Sequence, residues 1–232
     1  TVSRKRLIMH GRKQMKTQKI LYKGGEGELI EKKSRFIATT RPVETEEEAL
    51  AFLAEMKKKY WDATHNCSAF VIGDRQQIQR CSDDGEPQGT AGRPMLDVLL
   101  GEDIHNVAVV VTRYFGGTLL GTGGLVRAYS KSVQVGLEAS EVIEKRSGFL
   151  LKMAADYNGI GKIQYILGKK GIPTIASEYG ADVVLEVLVP EEEEEGLKEE
   201  ITEGTSGRTV YQEEKAVLYA LLSDGTPLIE EL

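Results

Sequence analysis

The chain has 232 residues and only two cysteines, Cys67 and Cys81. Two thiols cannot build a disulfide framework, so the small stapled scaffolds of secreted proteins are excluded. Histidine is also scarce, at three, and neither His-Glu-x-x-His nor Gly-x-Ser-x-Gly occurs. Those absences remove two familiar metalloprotease and serine-hydrolase signatures. There is no run of about 18 apolar residues, so no membrane-spanning helix is expected. The first ten residues, TVSRKRLIMH, are basic and lack the apolar stretch of a signal peptide. From these absences a cytoplasmic protein is expected, without membrane association.

What is present points to a folded protein. The chain is 41% hydrophobic and 28% charged, and its length suits one large domain or two small ones. The net charge of −6 is unevenly spread. Residues 1–35 hold 11 basic and 3 acidic residues, +8, whereas 36–149 sum to −4 and 150–232 to −10. Nucleic-acid phosphate should therefore be repelled by the last third. Residues 1–16 read as a basic extension outside the fold, disordered or left over from expression.

Pattern divides the rest into 17–144 and 145–232. Strand character runs through 17–41, broken at Gly24-Gly25-Glu26-Gly27. Thr45 with Glu48 forms a capping box that opens a helix over 45–60. Strands follow at 66–73, 77–81 and 107–115, with a long polar loop at 82–92 and a short helix after it. A glycine cluster at 121–124 opens a helix to about Ala139. Beyond 147 the order is strand, helix, strand, strand, helix, strand, to 214. That is the split βαβ order of a ferredoxin-like fold. Residues 215–232 have no assigned element.

The glycine segment invites a nucleotide-binding reading and fails its details. Gly116 and Gly121 have P-loop spacing, but Thr122 stands where the lysine belongs. Gly121 and Gly123 begin a dinucleotide fingerprint, but 126 is Val. What survives is a helix start at Thr122, Gly123 and Gly124 whose N–H groups could hold an anion. Arg127 and Lys131 share one helix face at i, i+4, and Arg113 ends the apolar strand near them. Asp83, Asp84 and Glu86 are weak candidates for a hard cation, and Asp-Gly and Glu-Pro are equally ordinary turn chemistry. His65, Cys67, Cys81 and His105 match no zinc spacing, and no orienting third residue completes a Cys–His nucleophile.

Two segments together carry a family resemblance. Cys81–Gly92, CSDDGEPQGTAG, and Thr112–Tyr129, TRYFGGTLLGTGGLVRAY, resemble the signature of the YigZ/Impact family. Lys33-Ser34-Arg35-Phe36 and His65-Asn66-Cys67 resemble its pattern too. The resemblance implies an α+β protein of two domains. The first would be a two-layer α/β domain like one shared by a ribosomal protein and the translocating elongation factor. The second would be ferredoxin-like. It also implies a link to translation, since the eukaryotic Impact protein competes for a partner of the kinase that phosphorylates initiation factor two.

Two functions remain on this reading. The favoured one is a non-enzymatic binding or regulatory protein linked to translation, with no cofactor. It would take RNA, the ribosome or a translation-associated protein through the Asp83–Gly92 and Gly116–Arg127 loops. Its binding set would be Asp83, Asp84, Glu86, Arg113, Thr122, Gly123, Gly124, Arg127 and Lys131, with no catalytic residue. The alternative is an enzyme acting on a phosphorylated small molecule with a metal ion.

Overall fold

The structure, a computed structural model, describes residues 17–231. The basic extension expected at 1–16 lies outside the described residues. The chain divides into two compact units, Gln18–Glu144 and one that begins at Lys145.

The first unit is built on five antiparallel strands. β1 (Gln18–Lys23) precedes the hairpin of β2 (Glu26–Glu31) and β3 (Ser34–Pro42). After α1 (Glu46–Lys59) come β4 (His65–Ile72) and β5 (Ile78–Ser82), then α2 (Gly92–Gly101). The short β6 (Ile104–His105), β7 (Val107–Tyr114) and α3 (Thr122–Glu138) complete the unit. The sheet order is β2-β3-β7-β4-β5, with β7 central. β1 lies off it, in parallel pairing with β6.

β7 shows how the sheet is covered. Successive side chains alternate between faces. Val107, Val109 and Val111 pack under α2 and α3 with Met95, Leu99, Leu125, Tyr129 and Phe36. Ala108 and Val110 face the other way, under α1 with Phe52, Met56 and Phe70. The sequence reading of two layers describes the α2/α3 side, and α1 adds cover on the opposite face. Burial on both faces explains why β7 is a continuous apolar run. α1 begins as its capping residues imply: the Thr45 hydroxyl accepts from the Glu48 N–H at 3.2 Å. The Glu48 carboxylate accepts from the N–H of Glu44, one residue before the box position.

The second unit contains β8 (Glu141–Ala155), α4 (Tyr157–Lys170), β9 (Thr174–Tyr179), β10 (Val183–Pro190), α5 (Glu194–Gly204), β11 (Val210–Leu221) and β12 (Pro227–Glu231). Its strands lie in the order β9-β10-β8-β11-β12, antiparallel throughout. Numbered within the βαββαβ core, that is order 2-3-1-4, the ferredoxin-like arrangement expected from the sequence. Val183, Leu185, Val187 and Val189 alternate onto α4 and α5, against Ile163, Leu167, Leu197 and Ile201. Two details differ from the sequence reading. β8 starts at Glu141 rather than Ser147, and the last strand runs on to Leu221 and pairs with β12 in a β-hairpin where 215–232 had no assignment. Its turn, Leu222–Thr226, closes through two backbone bonds, Leu222 N–H to the Thr226 carbonyl and Gly225 N–H to the Leu222 carbonyl.

Candidate functional site

The two signature segments meet in the interior of the first unit. Glu86, from the loop before α2, is buried at 8% exposure, and Arg113, from the end of β7, is buried at 5%. Arg113 Nη1 donates to Glu86 Oε1 at 2.6 Å, and the Tyr129 hydroxyl of α3 donates to the same oxygen at 2.8 Å. Arg113 Nη2 reaches the Ser34 hydroxyl at 3.4 Å, which also accepts from the Gly116 N–H at 3.2 Å. The guanidinium lies 5.3 Å from the Phe36 ring and 5.6 Å from the Phe115 ring. Arg113 Nε is buried without a hydrogen-bond partner among the described residues. A buried charge is tolerated only when paired, and here one carboxylate from the first signature neutralises one guanidinium from the second.

The two aspartates beside Glu86 are committed locally. The Asp83 carboxylate accepts from the backbone N–H groups of Gly89 at 2.8 Å, Ala91 at 3.1 Å and Gly92 at 2.8 Å. α2 has Ala91 at its N-cap, with no side-chain cap of its own, so Asp83 supplies that function from eight residues upstream. Partial burial would raise the Asp83 pKa, and the three N–H donors outweigh it and hold the carboxyl below its usual value. Asp84 accepts from the Asn66 N–H at 2.7 Å and pairs with Lys57 at 3.2 Å. His65 Nδ1 donates to the Asp84 carbonyl at 2.8 Å, and its Nε2 stands 3.9 Å from the second Glu86 oxygen.

Cys67 is fully buried, with Sγ 3.0 Å from the Asp83 carbonyl and 3.3 Å from the Tyr129 hydroxyl. Burial, with smaller contributions from Glu86, Asp84 and Asp83, pushes its thiol up to about 12 against the hydrogen bond to Tyr129. A thiol so held is not a thiolate nucleophile at neutral pH. Among the described residues, no group of three or more His, Cys, Asp or Glu side chains is placed to hold a metal.

The remaining candidates lie on the surface. Gly121 stands at the N-cap of α3 with φ +73°, a backbone conformation that glycine adopts without a Cβ penalty. Thr122 and Gly123 follow, exposed, and Gly124 is half-buried. Arg127 lies beside them: its Nη1 would be 3.6 Å from a Cβ placed on Gly123. Arg127 and Lys131 line a groove of about 260 Å³ between β2 and the first half of α3. Thus Arg127 is exposed beside the helix start, while Arg113 is enclosed with Glu86. Sequence reasoning missed Tyr129, Ser34 and Lys32. The signal for Lys32 is two adjacent lysines in a two-residue hairpin turn.

The match to known proteins covers both units. Residues 32–137 match the Impact N-terminal domain, and 153–208 match a domain of unknown function, DUF1949. The chain is 45% identical over 189 residues to the IMPACT family member YvyE of Bacillus subtilis, covering 82% of this chain and 87% of that protein. The chain belongs to the IMPACT family. Another family member, YigZ of Escherichia coli, is 41% identical over 162 residues, 68% of this chain and 79% of its own. A crystal structure of a hypothetical protein is 34% identical, with a TM-score of 0.54 over 85% of this chain and 97% of that one. Among the described residues, no helix is long and apolar enough to cross a membrane.

Proposed function

We propose that this IMPACT family protein is a non-enzymatic binding protein linked to translation. It engages RNA, the ribosome or a translation-associated protein through the surface around its two signature segments. One observation carries the reading: the charged groups of the signatures and of Lys131 just beyond them divide into an internal set and an exposed cationic set. Asp83, Glu86 and Arg113 are held by internal bonds. Arg127 and Lys131 are exposed on a groove, and Phe115, Leu119 and Trp61 are exposed at 46%, 82% and 82%. Exposed cations together with exposed apolar side chains on one unit suit a macromolecular partner. The resemblance to the Impact pattern supplies the connection to translation.

The enzymatic alternative draws less support. It needs carboxylates free to ligate a metal beside a phosphate, and the Asp83 and Glu86 oxygens already accept hydrogen bonds within the fold. The test is co-sedimentation of the full chain with purified ribosomes, and with ribosomal RNA alone, over a salt series. Binding should weaken as salt rises, because phosphate contacts release counterions. Arg127→Ala/Lys131→Ala should weaken it further. Absence of binding to both, together with turnover of a phosphorylated substrate, would replace this reading with the alternative.

A further inference from the structure

We infer that the groove between β2 and α3 is a binding site for a single sugar–phosphate unit, and that a nucleotide of an RNA strand is its occupant. The inference rests on the translation-linked reading above and gives it an atomic address. The groove is walled by the apolar side chains of Leu29 and Leu120, and its rim carries Lys32, Arg127 and Lys131 against one acid, Glu31. Among the described residues neither Lys32 nor Arg127 has an ion-pair partner, and Lys131 meets only the exposed Glu138 at 3.9 Å. Exposed pairs of that kind contribute little. Three cations therefore converge on one concavity with little of their charge compensated, in a chain whose net charge is −6.

The size of the groove limits the occupant. About 260 Å³ lies below the roughly 300 Å³ at which ordinary small-molecule sites begin. That space suits one phosphate with its sugar, and it does not suit a dinucleotide cofactor. The apolar walls offer contact to the sugar or a base face, and the rim offers charge to the phosphate.

The turn that presents Lys32 argues the same way. Lys32 and Lys33 are the two central residues of the β2–β3 hairpin, where Glu31 pairs with Ser34. Their φ angles are +46° and +68°. A two-residue turn with both central φ positive favours Asn-Gly, and lysine there is strained. A local rule broken without structural gain marks a functional position: the turn gives up stability and places the Lys32 cation at the groove. The backbone of Lys33 is held close by Gly116, where an added Cβ would come within 2.0 Å of the Lys33 carbonyl carbon. The glycine loop of the second signature thus packs against the turn that carries Lys32.

The experiment uses the full chain and two probes, a labelled ten-nucleotide oligouridylate and free adenosine monophosphate. Wild type should bind the oligonucleotide, and Arg127→Ala/Lys131→Ala should weaken it on the order of tenfold and flatten its salt dependence by about one and a half slope units. Lys32→Asn/Lys33→Gly should separate two effects: the thermal midpoint rises by a few degrees as the turn relaxes, while binding falls. Glu31→Gln should tighten binding by about two- to threefold by removing the acid that lines the groove. Lys162→Ala, in the second unit, should leave binding unchanged. Strong binding of adenosine monophosphate alone, lost in the same variants, would keep the site, make a free nucleotide its occupant and overturn the link to RNA. Oligonucleotide binding that survives both groove variants would overturn the groove and leave the translation-linked reading standing. No binding of either probe by wild type would overturn the site.

Discussion

Arg113 and Arg127 stand fourteen positions apart in one signature segment, and the fold treats them in opposite ways. Arg113 is 5% exposed, with its charge met by Glu86 and its plane near two aromatic rings. Arg127 is exposed at the rim of a groove, with no ion-pair partner among the described residues. The acids of the other segment both fall on the internal side, where Asp83 caps a helix and Glu86 neutralises a buried charge. A family signature is therefore a mixture. Part of it holds the β7–α3 corner together, and part of it faces outward.

Breaking the internal half should produce the largest effect. Glu86→Gln keeps the shape and removes the charge, leaving Arg113 buried and uncompensated. Removing one partner of a buried pair costs about 3–5 kcal/mol, so calorimetry should show the first unit's transition at a much lower temperature. Replacing both partners by apolar residues, Glu86→Leu with Arg113→Met, should recover most of that loss, because no unpaired charge remains. A double variant as unstable as the single would show that Tyr129 and Ser34, not the ion pair, anchor this corner.

The second effect in size concerns the glycine loop. A Cβ on Gly116 would stand 2.0 Å from the carbonyl carbon of Lys33 and 2.1 Å from its oxygen. Backbone atoms cannot turn aside as a flexible side chain can, so the loop or the β2–β3 turn must move. Gly116→Ala should cost about 1–3 kcal/mol, as overpacking usually does. It should also weaken anion binding by shifting Lys32. Normal stability in this variant would mean that the loop yields freely and does not hold the turn.

Asp83 comes next. Asp83→Asn retains one acceptor oxygen for the N–H groups of Gly89, Ala91 and Gly92, and loses the charge that suits a helix start. The expected loss is about 1 kcal/mol, read by urea unfolding at neutral pH. Because the folded-state pKa of Asp83 lies below its ordinary value of 3.8, its contribution is present above that value. It fades as pH falls through the lower, folded pKa. The gap between wild type and variant should therefore narrow only in acid. A gap constant down to the acid limit would show that charge is not what Asp83 contributes.

Much of the architecture was legible because it rests on local pattern. Val183, Leu185, Val187 and Val189 alternate, Gly171 closes α4 with φ +68°, and the βαββαβ order of the second unit follows. The second half of the hairpin at 210–231 was hidden: the strand was read to 214, and beyond it Ala216 to Leu222 is an apolar run with no polar alternation to mark a strand. The buried pair was hidden for a different reason. Charged residues are almost always exposed, and nothing in the neighbourhood of Arg113 points to a carboxylate 27 residues away. The groove was half legible: the helix spacing of Arg127 and Lys131 is local, whereas the arrival of Lys32 depends on β2 packing beside α3.

The smallest expected change tests the outward half of the signature. Gly123 lies at the exposed first turn of α3, and a Cβ there would meet only Arg127 Nη1, at 3.6 Å, an ordinary contact with the end of a flexible side chain. Its φ is not positive, so alanine enters without backbone strain. Alanine also lowers the conformational entropy of the unfolded chain. Gly123→Ala should therefore raise stability by about 0.4–1 kcal/mol, opposite in sign to Gly116→Ala in the same loop. If Gly123 is a packing glycine, the variant will instead lose stability, and the thermal midpoint decides between the two. If the glycine serves the approach of a phosphate to the helix start, the more stable variant will bind oligouridylate less well, since the added methyl stands beside the guanidinium of Arg127. A variant that gains stability and binds as wild type would show that the site is formed by the rim cations and the groove walls, with no part for the backbone of Gly123.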